Sequence, residues 1–124
     1  IFGVPVLSPC AGTVVAAHDG LPDNRPPATD RAHPAGNHVV LDCGGTQVLL
    51  AHFAQGSVAV RTGEPVAAGQ PLGAAGNSGN STEPHLHVHA FRGAAGDFQR
   101  GEPLPMTFSG RFLVRNSVVA VRPR

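Results

Sequence analysis

The sequence predicts an all-β fold, a sandwich or partly closed barrel of antiparallel sheets with a site in a groove on one sheet. Three observations predict it. Short Val/Leu-rich runs recur along the 124 residues, and none sustains a helical period. The 16 Gly and 12 Pro fall between these runs, without any low-complexity period, and read as turns. At 83–90 the run EPHLHVHA alternates histidine with apolar residues, the two-residue period of a strand.

In chain order, the predicted strands lie at 4–7, 13–17, 38–42, 48–53, 58–60, 71–74, 86–91 and 112–121. The first two flank SPCAG, a Pro- and Gly-bearing turn. Residues 19–37, DGLPDNRPPATDRAHPAGN, are polar and Pro-rich, an excursion longer than a hairpin loop. CGGTQ between the third and fourth runs carries the Gly-Gly of a tight hairpin. Residues 3–15 (GVPVLSPCAGTVV) and 63–75 (GEPVAAGQPLGAA) both open Gly-x-Pro-Val and place a Gly turn before a second apolar run. Two copies of a small β motif would give that echo, as would the general likeness of Gly/Pro-rich β sequences. One domain over 1–124 is expected, with its core at about 2–91 and closing strands at about 106–121.

Composition narrows the function classes. Nine basic residues, all Arg, against eight acidic ones give a formal charge of +1 and no basic stripe, so nucleic-acid binding gains little support. The absence of Lys excludes a biotin or lipoate carrier, and with the Ala, Gly, Val, Pro and Arg bias it fits the codon bias of a GC-rich genome. No stretch reaches the ~20 apolar residues of a transmembrane helix. The start on IFGVPV, without Met or signal peptide, suggests a processed or truncated chain. Cys10 and Cys43 are two buried thiols or a disulfide of an oxidising compartment. Antiparallel pairing of the runs beside them would bring them to one end of the sheet.

The chemistry lies in the histidines. On one strand, His85, His87 and His89 would form a row with about 7 Å between neighbours. His85 and His87 then face a cleft while Leu86 and Val88 anchor the core, and imidazoles so placed can ligate zinc or move protons. His52 ends the apolar run VLLAHF and needs a polar partner there. His18 and His33 read as surface residues. His38 and Asp42 spell His-x-x-x-Asp on one strand. An Asp42–Gln47 hairpin register would turn them to the face opposite His52.

These segments in order, GVPVLSPCAGTVV, GNHVVLDCGG, VLLAHF, the 63–76 run and PHLHVHA, resemble the lysostaphin/LytM-type zinc metallopeptidases, which cut peptidoglycan peptides. The resemblance runs from about Phe2 to Phe91. It implies a duplicated hybrid motif in a barrel-sandwich hybrid fold and one zinc ion. It implies that His87 is a zinc ligand, that His85 and His52 are the catalytic histidines, and that His89 supports the site from beside it. The family's other two ligands, the His and Asp of a His-x-x-x-Asp motif, are expected upstream of Ile1, so His38 and Asp42 read as a decoy. The function implied is a zinc-dependent endopeptidase acting on peptidoglycan stem peptides or cross-bridges, exported to the cell envelope or beyond. The alternative is a catalytically incomplete member that binds cell wall or regulates a partner hydrolase.

Overall fold

The computed structural model describes residues 1–104 and two short strands at 107–108 and 111–112. Among them the strands are β1 (Pro5–Leu7), β2 (Gly12–His18), β3 (Asn37–Cys43), β4 (Thr46–Phe53), β5 (Pro65–Val66), β6 (Pro71–Ala74), β7 (His87–Arg92), β8 (Glu102–Leu104), β9 (Thr107–Phe108) and β10 (Arg111–Phe112), with no helix. Every pairing is antiparallel, so the all-β expectation holds. A six-stranded sheet runs β5-β2-β3-β4-β7-β8, and β1-β6 and β10-β9 form two-stranded sheets. Of the closing strands expected at 106–121, residues 106, 109–110 and 113–121 lie outside the described residues.

Alternation along β3 and β4 sorts their side chains to two faces. Val39, Leu41, Val48, Leu50 and Phe53 join Val6 and Leu72 of the β1-β6 sheet in the main core. Each of these seven is at most 4 % exposed, which makes the β1-β6 sheet the lid of a sandwich. Val40, Leu49, Ala51 and Phe91 point the other way, into a smaller cluster with Ala35. The connection from β7 to β8 covers part of that second face. Gln47 holds it by donating to the carbonyls of Gly93 and Ala94 and accepting from Gly96 N–H at 2.6 Å.

The two echo segments pair reciprocally. β1 of the first copy pairs with β6 of the second, and β5 of the second pairs with β2 of the first. Neither copy could bury its own Val-rich face alone. One expectation shifts in detail. Residues 58–60 form no strand, because Val58 N–H donates to the Asp19 carboxylate and Ala59 N–H makes a single bond to the Leu72 carbonyl. The short strand that forms after them is β5, paired with β2.

Cys10 and Cys43 are joined by a disulfide with Cα atoms 5.9 Å apart. The β2–β3 register sets Thr13 against Asp42, which brings the two residues to the same end of the sheet. That end lies away from the β3 terminus where the long 19–37 excursion enters.

Candidate active site

The hairpin register places Asp42 opposite Gln47, as the Gly-Gly turn implies. Farther along, Val39 pairs with Leu50 but Asn37 pairs with Phe53. Ala51 and His52 therefore both oppose His38, which is a β-bulge with one extra residue on β4. His52 takes φ +65°, the left-handed region that histidine enters more readily than most side chains. Its backbone is held on both sides, N–H to Ala35 and C=O from Gly76 N–H, each at 2.9 Å. The bulge keeps Phe53 in the core and turns His52 to the face that carries His87. The expectation that His52 would lie on the face opposite His38 is thereby corrected. The strand count was right, but the extra residue reversed its parity.

β7 pairs with β4 so that His87 faces Ala51 and His89 faces Leu49. The expected three-histidine row is shorter than drawn, because His85 precedes the strand and makes an isolated bridge with Gly76. This departure draws His85 toward β4. Its ring centroid lies 4.6 Å from that of His52, and the His87 centroid lies 5.9 Å from His52. The fold thus gathers His52, His85 and His87 at one end of the second face.

Hydrogen bonds set the two inner rings. His52 is buried, 6 % exposed, and its Nδ1 lies 2.8 Å from the Ser78 carbonyl. A carbonyl only accepts, so Nδ1 carries the hydrogen and Nε2 keeps its lone pair. His85 Nδ1 lies 2.9 Å from the Glu83 carbonyl and 3.1 Å from Ser81 Oγ, which imposes the same tautomer. Burial, with smaller contributions from His85 and His87, pushes the His52 pKa down to about 4 against the opposing Ser78 bond. His87 makes no hydrogen bond with the described residues. Partial burial and the nearby His89 and His85 lower its pKa.

His89 lies 6.0 Å from His87, edge-on to Phe91 at 5.8 Å, and its buried Nε2 has no hydrogen-bond partner among the described residues. His38 stands apart from the trio. Its Nδ1 bonds the Gly36 carbonyl at 2.9 Å and its ring stacks on His18 at 5.8 Å. Asp42 accepts from Gly45 N–H at the hairpin turn, so it serves the turn. His33 is exposed and pairs with Asp30 at 2.8 Å.

Among the described residues, no group of three or more His, Cys, Asp or Glu side chains is arranged to hold a metal ion. Catalytic zinc takes three protein ligands. The described residues therefore do not compose a zinc centre by themselves.

The sequence marks GNSGNSTEP as a loop of the kind that borders active sites, but not which of its residues act. Ser78 and Ser81, within GNSGNSTEP, provide the carbonyl and the hydroxyl that orient His52 and His85. Asp23 and Asn24 of the excursion bind that loop in turn. The Gly/Asn/Ser composition marked a loop, but no local pattern tells which residue 50 positions away will hold it.

An all-β fold with a His-x-His pair and a third imidazole braced beside it has the features of metallopeptidases of the lysostaphin-like fold. Residues 2–98 match peptidase family M23, and the chain belongs to that family. It is 36 % identical over 87 residues to peptidoglycan DD-endopeptidase ShyA of Vibrio cholerae, spanning 69 % of this chain but only 18 % of that protein. A zinc-containing peptidase from Vibrio cholerae superposes with a TM-score of 0.57 at 26 % identity, over 73 % of this chain and 24 % of that one. The catalytic domain of lysostaphin from Staphylococcus simulans gives 0.61 at 25 % identity, over 83 % and 68 %.

Proposed function

We propose that this domain is the catalytic part of an exported bacterial zinc endopeptidase that hydrolyses peptide bonds in peptidoglycan stem peptides or cross-bridges. The observation that carries the proposal is the convergence of His52, His85 and His87, with both inner rings held as Nδ1–H tautomers. His87 would be this chain's ligand to a zinc ion held by the whole protein, and that ion would supply Lewis-acid polarisation of the scissile carbonyl and a water pKa lowered toward ~7.

The chain's own residues divide the remaining work. His52, neutral at physiological pH, presents Nε2 as an acceptor and can take a proton from the attacking water. The protonated ring is then a donor toward the developing oxyanion. His85 presents its Nε2 beside it for the same transfers. His87 has no protein hydrogen bond to break before it ligates, and His89 packs beside it.

Replacing His87 with Ala should abolish stoichiometric zinc in the whole protein, and retained zinc with intact activity would reject the assignment. His52→Ala and His85→Ala should lower turnover far more than metal content. The second reading, a non-catalytic cell-wall binder or regulator of a partner hydrolase, draws on the single metal ligand present. Dye release from labelled peptidoglycan by the zinc-loaded whole protein separates the two readings, since a binder would sediment with the wall and release nothing.

A further inference from the structure

The excursion between β2 and β3 is bonded to the loop that carries Ser78 and Ser81. Asp23 sends one carboxylate oxygen to Asn77 N–H at 2.8 Å and the other to Gln55 N–H at 3.0 Å. It thereby spans the two loops that follow β4 and β6. Asn24 inserts its amide among the carbonyls of Asn77, Gly79 and Ser81, at 2.9, 2.6 and 3.2 Å. Asn77 answers by donating its own amide to the Asn24 carbonyl at 2.9 Å and accepting from Ser81 Oγ at 2.7 Å. The fit is close, because a Cβ on Gly76 would meet Asp23 Oδ1 at 2.6 Å.

The loop held this way is the one whose Ser78 carbonyl and Ser81 hydroxyl face the two imidazoles. We propose that Asp23 and Asn24 are positioning residues for the histidine pair: by fixing the 76–81 loop they hold His52 and His85 as Nδ1–H tautomers with Nε2 toward the groove. Neither residue touches the rings. Their effect passes through Asn77, Ser78 and Ser81, and loosening the loop releases both tautomers together.

Asp19 supplies the control. It ties the same excursion to the chain at Gly56 and Val58, at 2.9 and 3.2 Å, without touching the 76–81 loop. The test compares Asp23→Ala, Asn24→Ala and Asp19→Ala in the full chain. Long-range proton–nitrogen correlation spectra of ¹⁵N-histidine report the tautomers, and thermal melts report stability. In Asp23→Ala and Asn24→Ala, the His52 and His85 lines should move from the pure Nδ1–H pattern toward a mixture. In Asp19→Ala they should stay unchanged, even where the melting temperature falls as far.

A kinetic arm rests on the hydrolase reading. In the zinc-loaded whole protein, kcat should drop about 10- to 100-fold for the first two variants with KM little changed. If wild type cleaves no peptidoglycan, the hydrolase reading fails while the spectra still decide the positioning role. Unchanged tautomers in Asp23→Ala and Asn24→Ala, or equal changes in Asp19→Ala, would overturn the proposal. If Asp23→Ala does not fold, Asp23→Asn takes its place with the same readouts, since it keeps the shape and removes one of the two acceptors.

Discussion

The two ends of the six-stranded sheet are built by opposite means. At one end, Cys10–Cys43 closes β2 against β3, Asp42 caps the β3–β4 turn, and Gln47 straps down the β7–β8 connection. There the polar groups serve the fold, and the register shift between Val14 and Ala16 of β2 presents no titratable side chain. At the other end, β4 bulges, β7 begins late, and long loops replace strand pairing. Polar groups there orient imidazoles instead. The difference teaches that the covalent tie and the histidine cluster occupy opposite ends of one sheet, and that the irregularity in β4 is the one that redirects an imidazole.

That division can be broken by mutation. The largest effect falls on the histidine end: His52→Ala or His85→Ala should cost about 10²- to 10⁴-fold in kcat, with a melting temperature near wild type. Steady-state cleavage of labelled peptidoglycan by the zinc-loaded whole protein measures it. Cys10→Ser with Cys43→Ser should do the reverse. Opening a loop with a sequence separation of 33 removes roughly 3–4 kcal/mol of stability by chain entropy, read by denaturant melts, with kcat unchanged. A smaller loss, about 1–3 kcal/mol, is expected for Gln47→Ala, which leaves the Gly96 N–H and two carbonyls to find other partners. The exposed Arg92–Glu102 pair, 3.8 Å apart, should contribute under ~0.5 kcal/mol, so Glu102→Gln should melt within error of wild type.

Acid sharpens the same contrast. The His52 pKa of about 4 lies below the ordinary 6.5, so between those values the unfolded chain binds more protons than the folded one. Its contribution to stability is complete above ~6.5 and is lost as pH falls toward 4. Melts of wild type between pH 7 and 4 should slope downward with acid, and His52→Gln should flatten that slope.

How much of this was legible depends on whether the signal is local. Hairpin register followed from Gly44-Gly45, and the reciprocal pairing of β1 with β6 and β5 with β2 was foreshadowed by the Gly-x-Pro-Val echo. His85 and His87 announced themselves by alternation. His52 was legible as a candidate but not in its orientation, because one inserted residue in β4 leaves no mark in hydrophobic pattern. The strand expected at 58–60 failed because its N–H groups found Asp19 and Leu72. Asp23 and Asn24 escaped notice because Asp and Asn in a Pro-rich loop are ordinary turn residues. Their partner Asn77 lies more than 50 positions away in sequence.

The bulge at His52 carries a consequence for how this site tolerates change. A sheet counts in twos, and one surplus residue is a phase shift applied to a single side chain, leaving Phe53 in step with the core. Deleting Ala51 would keep every functional group in the sequence and leave Leu50, His52 and Phe53 in plain alternation, with His52 opposite His38 and without the extra residue whose left-handed turn sets its ring against Ser78. The site therefore depends on spacing as well as on chemistry.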